Sequence, residues 1–502
     1  MRPIQEVLFR RIWARYIATV ISAVLVAFAY PPYNLGWLAW LGLAPLFLAL
    51  HGLRRRDTYA IAGIWTLVLI IGIMDFYFLT RSPVFVLIVI AGLIIQTIII
   101  AESSMIAQRY PSYGWLILPC LWVSAEFLVS FITGLFSPVP PDIPIPTPAN
   151  TQWLYNPMLQ ILSVTGEYGL YFLILLVNSS LAEAIRRIPY RRWWTPMAIS
   201  VPILVLCIIW GILQLPATNG SNKAGIAIVP TGGSLIAEFS PLTMTRQFVE
   251  ETDRNRVMPD GSVRPETGII AWAEIPVGNI NDKNTVAQVS DFAAETKRYM
   301  VVNFYDEQSD GTYLNVAAVF GPDGTLPVRN AKRRIPPIVE GSTAGNNEEP
   351  IETVDTPWGK MTTLICYDTF FPQLARRAAA DGADFIIVPA NPASDTTPRF
   401  TALHLSQTML RAVENHTAIA LSYASGLSAL IDANGQLVMH EPLDPKTYME
   451  SSVAMAGALP IEKGGTLYTR IGDTFAWIVL AVSIIWIMVI ETKRRNSQAR
   501  RE

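Results

Sequence analysis

Apolar stretches long enough to cross a lipid bilayer recur along this chain, and they constrain its fold more than any other feature. A helix needs about 20 consecutive, mostly apolar residues to span the hydrocarbon core, where its backbone polar groups must be satisfied within the segment itself. About eight such spans are predicted, at residues 13–30, 35–52, 60–79, 84–106, 115–135, 158–184, 196–215 and 474–490. The composition agrees, since 51% of the 502 residues are hydrophobic and only 16% are charged. Asp75, Glu102, Glu126 and Glu167 fall inside the stretches. Charges there are expensive in lipid, so these four are expected to face the bundle interior or to lie near an interface.

Cationic loops are retained on the cytoplasmic side of a membrane, so the arginines predict an orientation. Arg2, Arg10, Arg11 and Arg15 precede or open the first span, and Arg54, Arg55 and Arg56 follow the second. Arg109 follows the fourth, Arg186, Arg187, Arg191 and Arg192 the sixth, and Lys493, Arg494, Arg495, Arg500 and Arg501 the eighth. The opposite loops hold Arg81 alone, and residues 137–157 hold no Lys or Arg. A multi-pass membrane protein with both termini cytoplasmic is expected, its long segment between the seventh and eighth spans lying outside the cytoplasm. Residues 2–30, with Ala27-Phe28-Ala29, also have the look of a cleavable signal, but Pro31 and Pro32 follow at once and the remaining topology would be unchanged. The expected domains are 1–215, a membrane bundle of seven helices; 216–473, an extracytoplasmic catalytic domain; and 474–502, an eighth helix with a basic cytoplasmic tail.

Between about 224 and 460 the composition is that of a soluble domain. Strand-like runs at 224–229, 268–272, 300–304, 313–320, 361–365 and 385–389 alternate with helical patterns at 241–256, 285–297, 372–380 and 399–414, which is α/β order. A net charge of −2 and scattered basic runs exclude a nucleic-acid partner. Three cysteines form no disulfide framework, and Cys120 and Cys207 sit in apolar runs as small hydrophobes. His51, His404, His416 and His440 lack the spacing of a metal site, so neither metal nor cofactor is expected.

In Leu364-Ile365-Cys366-Tyr367-Asp368 a β-rich run ends in Cys366 just ahead of a helical pattern, where a helix N-terminus and exposed N–H groups stabilise a thiolate. A lone cysteine there is more often a small core residue. Two further segments change the weighting: Ala271-Trp272-Ala273-Glu274-Ile275-Pro276 ends an apolar strand in a carboxylate, and Asn330-Ala331-Lys332-Arg333-Arg334 places a lysine after another, with Glu340 eight residues on. The order Glu, Lys, Cys, 58 and 34 residues apart, resembles the carbon–nitrogen hydrolase, or nitrilase, superfamily.

Joined to a membrane bundle, that domain resembles the apolipoprotein N-acyltransferase family. The segments from Ala27-Phe28-Ala29-Tyr30-Pro31-Pro32 through Trp37-Leu38-Ala39-Trp40 are similar to the family's first hairpin, Pro119-Cys120-Leu121-Trp122 through Glu126 to its fifth span, and Val164-Thr165-Gly166-Glu167-Tyr168-Gly169 to its sixth. Asp381-Gly382-Ala383-Asp384, Arg411-Ala412-Val413-Glu414-Asn415 and Ser425-Gly426-Leu427-Ser428 are similar to segments around the site. The resemblance implies an α-β-β-α sandwich with Glu274 as base, Lys332 as oxyanion stabiliser and Cys366 as nucleophile. Glu340 would orient Lys332 or the incoming amine, and Tyr367 and Asp368 would support the nucleophile. It implies a membrane phospholipid as acyl donor, the α-amino group of a diacylglyceryl-cysteine at an apolipoprotein N-terminus as acceptor, a bacterial inner-membrane location, and a monomer without cofactor.

The chain departs from the family pattern at several places. Trp272-Ala273-Glu274 stands where Trp-Pro-Glu is usual, Ile338-Val339-Glu340-Gly341 where Pro-Phe-Gly-Glu-Tyr is usual, with a shorter connection onward to Cys366, and Tyr367-Asp368 where Tyr-Glu is usual. Val229-Pro230-Thr231-Gly232 and Ala390-Asn391-Pro392-Ala393-Ser394-Asp395 also differ. Three other readings stay open at this point: a membrane-anchored amidase passing its acyl group to water, a catalytically silent lipoprotein-binding scaffold, and a transporter.

Overall fold

In the structure, a computed structural model that describes residues 11–74, 83–136, 146–188, 190, 192–215, 222–231, 234–235, 240–257, 261, 263–336, 345, 349–391, 398–444 and 453–499, the chain divides into two units. One comprises Met1–Asp142, Pro146–Leu213 and Ile471–Glu502; the other comprises Ile143–Ile145 and Gln214–Arg470.

The first unit is helical. Among the described residues six helices are long and apolar enough to cross a membrane: α1 (Ile12–Ala29), α2 (Arg55–Ile73), α3 (Pro83–Gln108), α4 (Gly114–Phe136), α5 (Glu167–Arg187) and α6 (Met197–Gln214). On α1, Trp13, Ile17, Ile21, Val24 and Phe28 are exposed at spacings of three and four, whereas Thr19, Ser22, Ala23, Val26 and Ala27 are buried. That inversion of a soluble helix suits lipid outside and close helix packing inside. The chain is a multi-pass membrane protein.

Two of the eight expected spans are shorter apolar helical segments, Gly36–Leu50 and Thr474–Val489, the latter opening the C-terminal helix Thr474–Ala499. The first of these is broken into Gly36–Leu38, Ala39–Gly42 and Ala44–Leu50. Pro45, near the start of the last piece, brings no N–H to a helix ladder. Asn178 of α5 bridges the break: its Oδ1 accepts from the N–H groups of Leu43 (2.9 Å) and Ala44 (3.0 Å), and its Nδ2 donates to Ala39 O (2.8 Å). The sixth span starts later than expected, at Glu167, because Gly166 leaves the helical region at φ +63°.

Of the four intramembrane acids, Glu102 takes hydrogen bonds from Tyr59 and Arg55, and Glu126 from Gln96, Trp122 and Tyr171, so each ties neighbouring helices together. Glu167 opens α5, and Asp75 lies outside the described residues. The arginine-flanked ends meet. Arg15 donates to Ala49 O (2.7 Å) and His51 O (2.6 Å), Gln108 donates to Leu50 O (3.2 Å), and Arg186 lies 3.3 Å from His51 Nε2.

The second unit is a pair of six-stranded sheets. The first has the order β12-β1-β2-β3-β4-β5 and the second β11-β10-β9-β8-β7-β6. The strands are β1 (Lys223–Val229), β2 (Thr267–Trp272), β3 (Tyr299–Glu307), β4 (Tyr313–Phe320), β5 (Val328–Ala331), β6 (Thr353–Thr356), β7 (Gly359–Thr363), β8 (Phe385–Ala390), β9 (Ala418–Tyr423), β10 (Ala429–Ile431), β11 (Leu437–His440) and β12 (Met455–Pro460). The central trios β1-β2-β3 and β7-β8-β9 are parallel, and the flanking pairs are antiparallel.

Alternation along each strand builds two layers of core. Ile226, Ile228, Ile269 and Val301 pack against Met361, Phe385, Ile387 and Ala420 between the sheets. Ala227, Ile270, Trp272 and Val302 face the other way, onto Val249 of α7 (Pro241–Arg254) and Val289 and Phe292 of α8 (Lys283–Thr296). On the second sheet, α9 (Pro372–Ala380) and α10 (Pro398–Asn415) cover the remaining face. Strands buried on both faces read as continuous apolar runs, which is why they were visible in the sequence. The result is the expected α-β-β-α sandwich.

Candidate active site

The C-terminal ends of the parallel strands gather the polar residues. Glu274 follows β2 by two residues and is almost wholly buried. Its Oε1 accepts from Lys332 Nζ (2.7 Å) and Asn315 Nδ2 (2.8 Å), and its Oε2 accepts from the Asn391 N–H (3.0 Å). Lys332 directly follows β5, and its own N–H donates to Asn315 O (2.7 Å), so its backbone is held as an extension of the strand. Asn315 is oriented in turn by Asn303 of β3, whose Nδ2 donates to Asn315 Oδ1 (2.8 Å).

Lys332 is 0% exposed and Glu274 only 6%. Stripping two charges of water costs several kcal/mol per ion, so a buried pair is a poor stabilising device. Such pairs are kept where chemistry needs them.

Cys366 does not end a strand, as the sequence suggested. β7 stops at Thr363; Leu364 still donates to Ile387 O (3.2 Å), and the chain then turns sharply. Cys366 opens the 3₁₀ turn Cys366–Phe370 with φ +44°, a left-handed conformation that costs a non-glycine residue about 1–3 kcal/mol. The helix dipole invoked for the thiolate is likewise not adjacent, because α9 begins only at Pro372.

Asp368 holds this turn against the lysine strand. Its carboxylate accepts from the N–H groups of Ile365 (3.1 Å), Arg333 (3.1 Å) and Arg334 (2.8 Å), joining the residue before Cys366 to the residues after Lys332. Burial pushes its pKa above the ordinary carboxylate range, against the pull of those N–H groups. Tyr367 packs its ring on Phe370 and Phe371, each at 5.3 Å between centroids. Trp272 is core, its indole N–H donating to Thr245 Oγ1 (3.0 Å). Glu340 and Asp395 lie outside the described residues.

Two residues that the sequence did not single out lie against the turn. His404 of α10 is fully buried, stacked on Phe370 at 5.0 Å and 9°, with Nε2 3.0 Å from Cys366 O and Nδ1 bonded to the Tyr423 hydroxyl. Burial lowers its pKa to about 3, so the ring is neutral. Burial, with Cys366 and Glu274 nearby, pushes the Tyr423 phenol well above its ordinary range. Glu274 and Lys332 are thus in direct contact, and the Cys366 turn is joined through Asp368 to the two residues that follow Lys332. No local pattern marks His404 or Tyr423, because only the packing of α10 and β9 over the turn brings them there.

The arrangement offers a thiol, a buried carboxylate, a fixed ammonium and backbone N–H groups, which together suit acyl transfer. Residues 22–180 match the model of the apolipoprotein N-acyltransferase N-terminal domain, and residues 262–458 match that of carbon-nitrogen hydrolase. The apolipoprotein N-acyltransferase of Geobacter metallireducens is 25% identical, with 93% of each chain covered. Apolipoprotein N-acyltransferase 1 of Treponema denticola is 22% identical over 96% of this chain and 97% of its own. Among solved structures, Saccharomyces cerevisiae Nit3, a member of the nitrilase superfamily, is 21% identical, covering 49% of this chain and 93% of its own at a TM-score of 0.39. With both of its units matched in their order along the chain, and with relatives aligned nearly end to end, this protein belongs to the apolipoprotein N-acyltransferase family as a divergent member.

Proposed function

We infer that this chain is an N-acyltransferase that moves a fatty acyl group from a membrane phospholipid, through a Cys366 thioester, to the α-amino group of a diacylglyceryl-cysteine at an apolipoprotein N-terminus. The observation that carries the reading is the buried contact of Lys332 and Glu274 at 2.7 Å beside the strained Cys366 turn.

In the first half-reaction Cys366 Sγ attacks the ester carbonyl of the phospholipid while Glu274 takes the thiol proton. Lys332 and the Tyr367 N–H stabilise the oxyanion. Collapse breaks the ester C–O bond, Glu274 returns the proton to the leaving glycerol oxygen, and lysophospholipid departs. In the second half-reaction the neutral amine attacks the thioester and the C–S bond breaks. The amine's proton passes by way of Glu274 to the sulfur, which restores the thiol.

Both substrates carry acyl chains that would cost about 0.8 kcal/mol per CH₂ to withdraw into water, so the reaction is best held at a bilayer surface. The distribution of arginines supports a catalytic unit outside the cytoplasm with both termini inside, and one chain supplies every proposed group, in keeping with a monomer. Labelled phospholipid incubated with purified protein should give a mass increase on the Cys366 peptide, followed by N-acylated peptide when diacylglyceryl-cysteinyl peptide is added. Release of free fatty acid with no acylated amine would make the chain a hydrolase instead, and an unmodified Cys366 in the active preparation would remove the thioester.

A further inference from the structure

The backbone carbonyl of Cys366 is held by side chains rather than by the turn alone. Thr369 Oγ1 donates to it at 3.1 Å, and His404 Nε2 lies 3.0 Å from it and 2.7 Å from Thr369 Oγ1. A carbonyl oxygen only accepts, so Nε2 carries the proton and Nδ1 accepts from the Tyr423 hydroxyl. Thr408 Oγ1 donates to His404 O (2.9 Å), and Phe370 stacks on the ring. His404, Thr369, Thr408 and Tyr423 are all 0% exposed. This is not the geometry of a Cys–His dyad, since both ring nitrogens are engaged by groups other than the sulfur.

The 366–367 peptide is trans, so its N–H points opposite to its carbonyl. Anchoring the Cys366 carbonyl on the α10 side therefore aims the Tyr367 N–H the other way. We propose that His404, locked in its Nε2–H tautomer by Tyr423, is a positioning residue that aims the Tyr367 N–H at the oxyanion of the acyl-transfer intermediate. The inference rests on the reading of Cys366 as nucleophile. It makes His404 matter when charge develops on the oxyanion, not when the lipid binds or the thiol ionises.

The test uses the purified full-length protein with labelled phospholipid. It compares the single-turnover rate of Cys366 thioester formation, the half-saturating lipid concentration, and the pH profile of Cys366 alkylation by iodoacetamide. His404→Leu should slow acylation about 100-fold, the effect of losing one oxyanion donor, with the other two readouts unchanged. His404→Gln, whose amide can still donate to the carbonyl, should return to within about tenfold of the parent, and Tyr423→Phe should fall by about tenfold, near one hydrogen bond. Parent-like acylation in His404→Leu or in Tyr423→Phe overturns the proposal, and the second variant decides if the first does not fold. A shifted alkylation profile also overturns it, because the imidazole would then partner the thiol, as does a His404→Gln as slow as His404→Leu. A parent protein that forms no thioester at all instead defeats the reading of Cys366, and the inference with it.

Discussion

Lys332 and Glu274 touch at 2.7 Å although their strands, β5 and β2, are separated in the first sheet by β3 and β4. Neighbouring strands lie about 4.8 Å apart, so the two strand ends are roughly 14 Å distant and only a long, extended lysine reaches the carboxylate. Asn315 of β4 and Asn303 of β3 form the polar chain beside the contact.

Removing either charge alone leaves the other buried and uncompensated. Lys332→Met and Glu274→Gln are each expected to abolish thioester formation, and Lys332→Met to lower stability by about 3–5 kcal/mol. The double variant Lys332→Met/Glu274→Leu should regain most of that stability while staying inactive. Melting curves followed by tryptophan fluorescence, alongside the acylation assay, check this; a double variant less stable than Lys332→Met would contradict it.

The left-handed Cys366 gives a second expectation. Glycine adopts φ +44° without the Cβ penalty, so Cys366→Gly should be inactive yet as stable as the parent or more stable, by about 1 kcal/mol. Cys366→Ser keeps the strained backbone and should melt with the parent. A Cys366→Gly variant that melts clearly below both the parent and Cys366→Ser would show that the turn stores no strain that glycine relieves.

His404 makes the fold acid-sensitive in a definite direction. The folded ring has a pKa of about 3 while an unfolded histidine titrates near 6.5, so below that pH the unfolded chain binds the extra proton. Stability is therefore expected to fall as pH drops from about 6.5 toward about 3, by at most about 1.4 kcal/mol per pH unit from this group. Comparing melting temperatures of the parent and His404→Gln across pH 4 to 7 isolates the contribution; parallel curves would exclude it.

In the membrane unit, Asn178 satisfies two N–H groups and one carbonyl at the break beside Pro45. Asn178→Leu keeps the number of side-chain heavy atoms but has neither donor nor acceptor, and should destabilise the unit by about 1–2 kcal/mol, lowering the melting temperature in detergent. An unchanged melting temperature would mean that the broken segment is held by packing alone.

Much of the architecture was legible because it is written locally. A run such as 313–320 is apolar because both sheet faces are covered, and it appears as β4 with those limits. The helices α1 and α3 follow from apolar length, and the broken second segment departs from it because Gly36, Gly42 and Pro45 weigh less in a hydropathy window than on a backbone.

By itself, then, the sequence determined the two-part construction and the arginine asymmetry, and it singled out Glu274, Lys332 and Cys366 as the proposed triad, since periodicity, length and spacing act over a few residues or match a family order. Tertiary structure alone decided that Cys366 sits in a left-handed turn, that Asp368 clamps that turn to the lysine strand, that Asn315 braces Glu274, and that His404, held by Tyr423, lies against the turn. Those partners come from strands and a helix distant in the chain, and whether a histidine or an asparagine packs as core or orients a reacting group is settled by what folding brings within about 3 Å of it.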